Sequence, residues 1–158
     1  MTVPRRIHRL IEGRQLEQVE PDPQRIVGLW QKALASDLDS RKGLSADNSV
    51  SLAYQAAFQA SSAVLEAAGF RTRGQTTGHH HDTFYALSDL PYPGLAEVHG
   101  DSERIRKMRT DAFYGAGAAT PQQVAAVHQW VEGLLSACWA ALTTVRPDLR
   151  AQLAPPSG

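Results

Sequence analysis

The strongest constraint on this chain is the alanine-rich run from Ser45 to Ala68, closed by Gly69. Leu52, Ala56, Ala60, Ala63 and Ala67 recur near one face at helical spacing, and Ala53, Ala57 and Val64 widen that face. Alanine is the best helix former, and a glycine just past the last periodic residue is a stop signal. A long helix flanked by small residues lets neighbouring helices approach closely, as at the centre of a bundle. The segment predicts an all-α fold built around it.

The rest of the pattern agrees. A short helix is expected from about Arg6 to Val19, stopped by Pro21 and Pro23. Asp22-Pro23 then opens a second helix, with Asp as N-cap and Pro at the first position. Its stripe is Ile26, Leu29, Trp30, Ala33, Leu34 and Leu38, and Gly43 ends it. Phe70 to Gly78 reads as a loop carrying Arg71 and Arg73. Thr76 and Thr77 precede His79-His80-His81-Asp82, which opens a short helix to about Asp89 burying Phe84 and Leu87. Pro91, Pro93 and Gly94 break the chain before a helix from about Leu95 to Phe113, closed by Gly115-Ala116-Gly117. Thr120-Pro121-Gln122-Gln123 is a capping-box start. Val124, Val127, Val131, Leu134, Cys138, Leu142 and Val145 then form a stripe that Pro147 stops. No strand is expected. The reading is four main helices with additional short ones: an N-terminal extension over 1–20, a helical bundle over 21–150 and a disordered tail over 151–158.

Sixteen basic and sixteen acidic residues cancel, so any nucleic-acid contact must come from a local patch rather than bulk charge. Cys138 is the only cysteine, which precludes an intrachain disulfide, and its apolar neighbours mark it as core. No stretch reaches the roughly 20 apolar residues of a membrane span. No apolar signal core follows the basic Met1–Arg6 start, so a cytoplasmic location without membrane contact is expected. No glycine-rich phosphate loop, Ser-His-Asp pattern or zinc signature is present.

The local patch is Arg104-Ile105-Arg106-Lys107-Met108-Arg109-Thr110-Asp111-Ala112-Phe113-Tyr114-Gly115. Ile105, Met108 and Ala112 form a helical stripe, and four cations surround it. Guanidinium, carboxylate and phenol within the last turns of a helix can grip a phosphate or a base. Arg109, Tyr114 and Asp111 are therefore the candidate catalytic group, and Arg104, Arg106 and Lys107 would extend a phosphate-binding strip. The plain alternative is an ion pair of Arg109 with Asp111 at a solvated helix end. In the histidine run consecutive side chains point different ways, so no metal site is expected there; helical metal sites prefer i, i+4 pairs. His80 or His81 facing the cleft would instead supply an imidazole. Tyr54 lines a pocket or packs with its hydroxyl at the bundle edge, and Arg73 reaches a ligand from its loop. Trp30, Trp130 and Trp139 read as core or interface, and His99 and His128 as surface residues.

From about Val50 to Val145 the order of these parts resembles the HEPN domain (higher eukaryotes and prokaryotes nucleotide-binding), an up-down four-helix bundle. The matching features are Ser51–Ala57 running into Ala67-Ala68-Gly69-Phe70-Arg71, the Gly78-His79-His80 turn, and Arg106–Tyr114 as the family's signature near the end of its third core helix. In the ribonucleases of that family the signature is Arg, a polar residue, a few more positions, then His. Arg109 matches the Arg, Asp111 loosely matches the polar residue, and Tyr114 stands where His is expected. The resemblance implies a bacterial homodimer whose paired signature helices bring two copies of Arg109 and Tyr114 into one cleft. It implies RNA or a nucleotide as ligand, no cofactor, and a toxin–antitoxin or defence setting. Metal-independent RNA cleavage by the 2′-hydroxyl is the activity implied where the family's His is kept. The alternative it carries is a non-catalytic helical module that partners a nucleotidyltransferase antitoxin or another protein.

Overall fold

The computed structural model describes residues 2–74, 78–115 and 117–157; the side chains of Ala112 and Phe113 also lie outside the described part, as do Thr76, Thr77 and Ala116. Among the described residues six α-helices and one two-stranded sheet succeed one another. They are α1 (Arg5–Glu12), β1 (Leu16–Gln18), α2 (Pro23–Ser40), α3 (Ala46–Ala67), β2 (Phe70–Thr72), α4 (His79–Leu87), α5 (Val98–Tyr114) and α6 (Pro121–Val145), with a short 3₁₀ turn at Pro147–Leu149. The fold is mostly helical, as the alanine-rich run predicts.

The alanines of α3 explain the layout. Ala53, Ala56, Ala57, Ala60, Ala63 and Ala67 are all buried, and α3 packs against α2, α4, α5 and α6. With no side chain larger than a methyl over much of its surface, α3 can accept neighbours on several sides. Trp30 and Ile26 of α2, Phe84 and Leu87 of α4, and Val127, Val131, Leu135, Cys138 and Leu142 of α6 close the core around it.

Helix ends are held by the expected caps. Asp22 Oδ1 accepts from the backbone N–H of Gln24 at 3.0 Å and of Arg25 at 3.3 Å. Thr120 Oγ1 accepts from Gln123 N at 3.2 Å, while Gln123 Oε1 accepts from Thr120 N at 2.8 Å, completing the capping box. One cap comes from afar: Pro4 offers α1 no capping side chain, and Asp89 Oδ2 accepts from Arg6 N at 2.7 Å instead. A carboxylate there satisfies an orphan donor and complements the helix dipole.

Several sequence expectations are corrected. The first helix ends at Glu12, because the chain turns left-handed at Arg14 (φ 59°) and then extends. Leu16–Gln18 pairs antiparallel with Phe70–Thr72, in the register Leu16 to Thr72, Glu17 to Arg71 and Gln18 to Phe70. Each strand is too short for a period-2 signal, so the expected absence of strands and the expected loop at Phe70 both fail. Gly69, at φ 92°, makes the left-handed exit from α3 that leads into β2. Leu38 lies on the expected buried stripe of α2 but is 52% exposed, since Asp37 and Ser40 take the buried positions at that end of the helix. The final segment is not loose through residue 154. Leu153 is buried, its carbonyl accepts from Trp139 Nε1 at 3.1 Å, and the Ala154 carbonyl accepts from Trp30 Nε1 at 2.8 Å. The N-terminal segment likewise joins the main core through Ile7, Leu10 and Leu16. No described helix is long and apolar enough to cross a membrane.

Candidate functional site

Arg109 lies on the inward side of α5. Val98, Ser102, Ile105 and Arg109 are spaced four, three and four apart, so they share one stripe. Val98 and Ser102 are buried and Ile105 partly so. At the end of this stripe the guanidinium of Arg109 lies over the ring of Tyr54, 5.1 Å from its centroid. Tyr54, on α3, is only 2% exposed. The other cations of the helix differ. Arg104 pairs with Asp101, and Arg106 with Glu103 at 3.0 Å, each one turn back. Among the described residues Arg109 and Lys107 form no ion pair.

Around Tyr54 the rings gather. His80 of α4 stands 5.9 Å from Tyr54 and 4.1 Å from Phe58, while Phe84 and Trp130 lie 5.5 and 6.4 Å from Tyr54. Burial, reinforced by neighbouring His79 and the charge on Arg109, pushes the His80 imidazole down to about 4. Burial raises the Tyr54 phenol, partly opposed by Arg109. At neutral pH the site therefore holds a neutral imidazole, a neutral phenol and one guanidinium against an aromatic wall.

The helix divides the signature motif. At about 100° per residue, Asp111 and Tyr114 point roughly 160° and 140° away from Arg109. Tyr114 is 81% exposed at the last position of α5. Asp111 shares a shallow cavity of about 390 Å³ with Arg104, Lys107, Met108 and Gln123. The structure thus unites Arg109 with Tyr54 and His80, and leaves Asp111, Tyr114 and Lys107 on other sides of α5. The expected burial of Ala112 falls on a side chain outside the described residues.

Arg73 belongs to a different cavity, of about 880 Å³, where it lies 3.8 Å from Glu17. That cavity surrounds Glu66, 1% exposed, whose carboxylate accepts from Arg71 at 2.7 and 2.9 Å and from Arg25 at 3.2 Å. The pairs tie α2 and β2 to α3. His79 and Phe58 line the same cavity, 5.5 Å apart, so it adjoins the aromatic wall.

His81 faces away from His80. Its ring stacks on Tyr85 at 5.8 Å and meets His99 of α5 edge-on at 4.8 Å. One donor atom each from His81, His99 and Glu103 lies within 4.8 Å of the others. Burial, with His81 adding to it, lowers the His99 imidazole, and the Arg106 guanidinium holds the Glu103 carboxyl low.

Sequence reasoning missed Phe58, His99 and Glu103. Phe58 is four residues from Tyr54 on one helix, and Glu103 four from His99, so the spacing itself carried both signals. His99 and His128 are partly buried rather than surface residues, and His128 Nε2 lies 2.9 Å from Ser49 Oγ. Compared with protein-family models, curated proteins and solved structures, the chain matches none.

Proposed function

We propose that this chain is a HEPN-like helical bundle that binds RNA or a nucleotide through Arg109, Tyr54 and His80. The observation that carries the reading is the Arg109 guanidinium, without a carboxylate partner among the described residues, laid over a buried tyrosine at 5.1 Å. A guanidinium oriented by a ring keeps N–H donors for phosphate oxygens. The adjoining rings supply stacking surface for a base. Lys107, and Arg104 and Arg106 once they exchange their carboxylates for phosphate, extend the strip.

Binding is favoured over cleavage. A general base works best with a pKa near the working pH, and His80 sits near 4. Tyr54 is shifted the wrong way for a base at neutral pH. The imidazole serves as a hydrogen-bonding group beside the phosphate. In the HEPN-like arrangement two copies pair along α5, which packs only lightly on α6; light scattering of the purified chain checks that dimer. Tyr114, exposed at the helix end, favours a second reading in which this end of α5 docks a protein partner such as a nucleotidyltransferase.

Fluorescence anisotropy with labelled single-stranded RNA, and competition by mononucleotides, tests the first reading. Wild type binds, and affinity falls as salt rises. Arg109→Ala weakens binding by about tenfold or more, corresponding to the lost phosphate contact. Absent binding, or equal binding by Arg109→Ala, overturns it.

A further inference from the structure

His99 and Glu103 stand one turn apart on α5, so their side chains share a face. α4 sets His81 against them, bringing three donor atoms within 4.8 Å of one another. Two further observations point to an ion. Among the described residues three buried side-chain polar atoms lack a hydrogen-bond partner; one, His99 Nδ1, belongs to this cluster, and a second, Asp82 Oδ2, sits on the residue next to His81. Such orphans call for an explanation, and an ion is one of the few available. Asp82 Oδ1 also lies 3.4 Å from His81 Nδ1, the position of the carboxylate that orients a metal-ligating histidine from behind.

We infer that His81, His99 and Glu103 form a binding site for a divalent transition metal, with Zn²⁺ the best match. Two imidazoles and a carboxylate are a donor set that Zn²⁺ accepts, with a fourth position left for water. Tetrahedral ligands at about 2.0–2.2 Å sit roughly 3.4 Å apart, so the side chains close slightly on the ion. His81 is exposed and Glu103 partly exposed, which gives both room to rotate. Two cations oppose the site: Arg106, paired with Glu103 at 3.0 Å, and Arg6, whose guanidinium lies 4.8 Å from the Tyr85 ring centroid. The ion displaces Arg106 from Glu103 and clips α4 to α5. None of the three ligands is a residue that carries the RNA reading, and Arg106 is the one group the two sites share.

Calorimetric titration of the full chain with ZnCl₂, thermal melting, and the absorption spectrum with Co²⁺ as a visible substitute test the inference. Wild type takes up one equivalent of Zn²⁺ and melts at a higher temperature, and Co²⁺ gives the strong visible bands of a four-coordinate centre. His99→Ala and Glu103→Gln each weaken binding by about tenfold or more, Arg106→Gln tightens it, and His80→Ala leaves it unchanged. If His99→Ala fails to fold, Glu103→Gln and Arg106→Gln, which alter groups at the surface, decide the matter. The inference is overturned if wild type neither binds Zn²⁺ nor gains melting temperature. It is also overturned if binding survives Glu103→Gln undiminished, which would place the ion elsewhere, for example on His79 and His80.

Discussion

His80 and His81 are neighbours in α4 and live in opposite surroundings. His80 sits among Phe58 and Tyr54, with the Arg109 guanidinium laid over the same tyrosine ring. His81 lies against Tyr85 and His99, with the carboxylates of Asp82 and Glu103 nearby. A turn of about 100° between consecutive residues produces the difference. One face gathers a cation and neutral rings, which suits an anion. The other gathers imidazoles and carboxylates, which suits a cation. A run of like residues on a helix is therefore not one site but several.

The largest test of this contrast is structural. Tyr54→Ala removes a buried ring from the first face and lowers stability by about 3–5 kcal/mol in urea unfolding. Tyr85→Ala, on the partly buried second face, lowers it by about 1–2 kcal/mol. Equal losses would break the comparison. Acid titration comes next. Because the His80 imidazole is pushed down from 6.5 to about 4, the unfolded chain takes the proton first. Stability is fully present above pH 6.5 and falls as pH drops toward 4, by at most roughly 3 kcal/mol for this group. His99 and His128, also lowered by burial, act in the same direction. Glu103 and Asp148, held low by arginines, act only below the ordinary carboxylate range. Urea midpoints across pH 4.5–6.5 check this, and His80→Phe should flatten the slope; an unchanged slope removes the buried neutral imidazole from the account.

Smaller effects sharpen the comparison further. Arg109→Ala forfeits one cation–π contact, about 0.5–1 kcal/mol of stability, while RNA affinity drops by the larger factor given above. A matching large stability loss would make Arg109 a structural residue. Arg104→Ala breaks only an exposed pair on α5, so its change in urea midpoint is a few tenths of a kcal/mol and shrinks in high salt.

Local signals were legible in the sequence. The Thr120–Gln123 capping box and the Asp22 cap involve residues a few positions apart, and both form as read. The buried alanines of α3 follow from composition and period alone. What the chain concealed was long-range. The pairing of Leu16–Gln18 with Phe70–Thr72, the Asp89 cap on α1 and the docking of Leu153 beneath Trp139 each join distant segments. No local pattern announces them. The site divides the same way. Arg109 stands out in sequence, but that it meets Tyr54 depends on how α5 lies against α3. The separation of Arg109 from Tyr114 was available from helix geometry, since five positions leave a side chain roughly 140° from its start. The same holds for His99 and Glu103, whose i, i+4 spacing alone places them on one face of α5.

The most direct check is a proton-detected NMR titration of the histidine rings with single-stranded RNA. The account predicts that His80 ring signals move on binding and that its pKa climbs from about 4, because a phosphate held by Arg109 stabilises the imidazolium, while the His99 signals move less. Movement of His99 with His80 unmoved, or no response from either ring in a saturated complex, would contradict it.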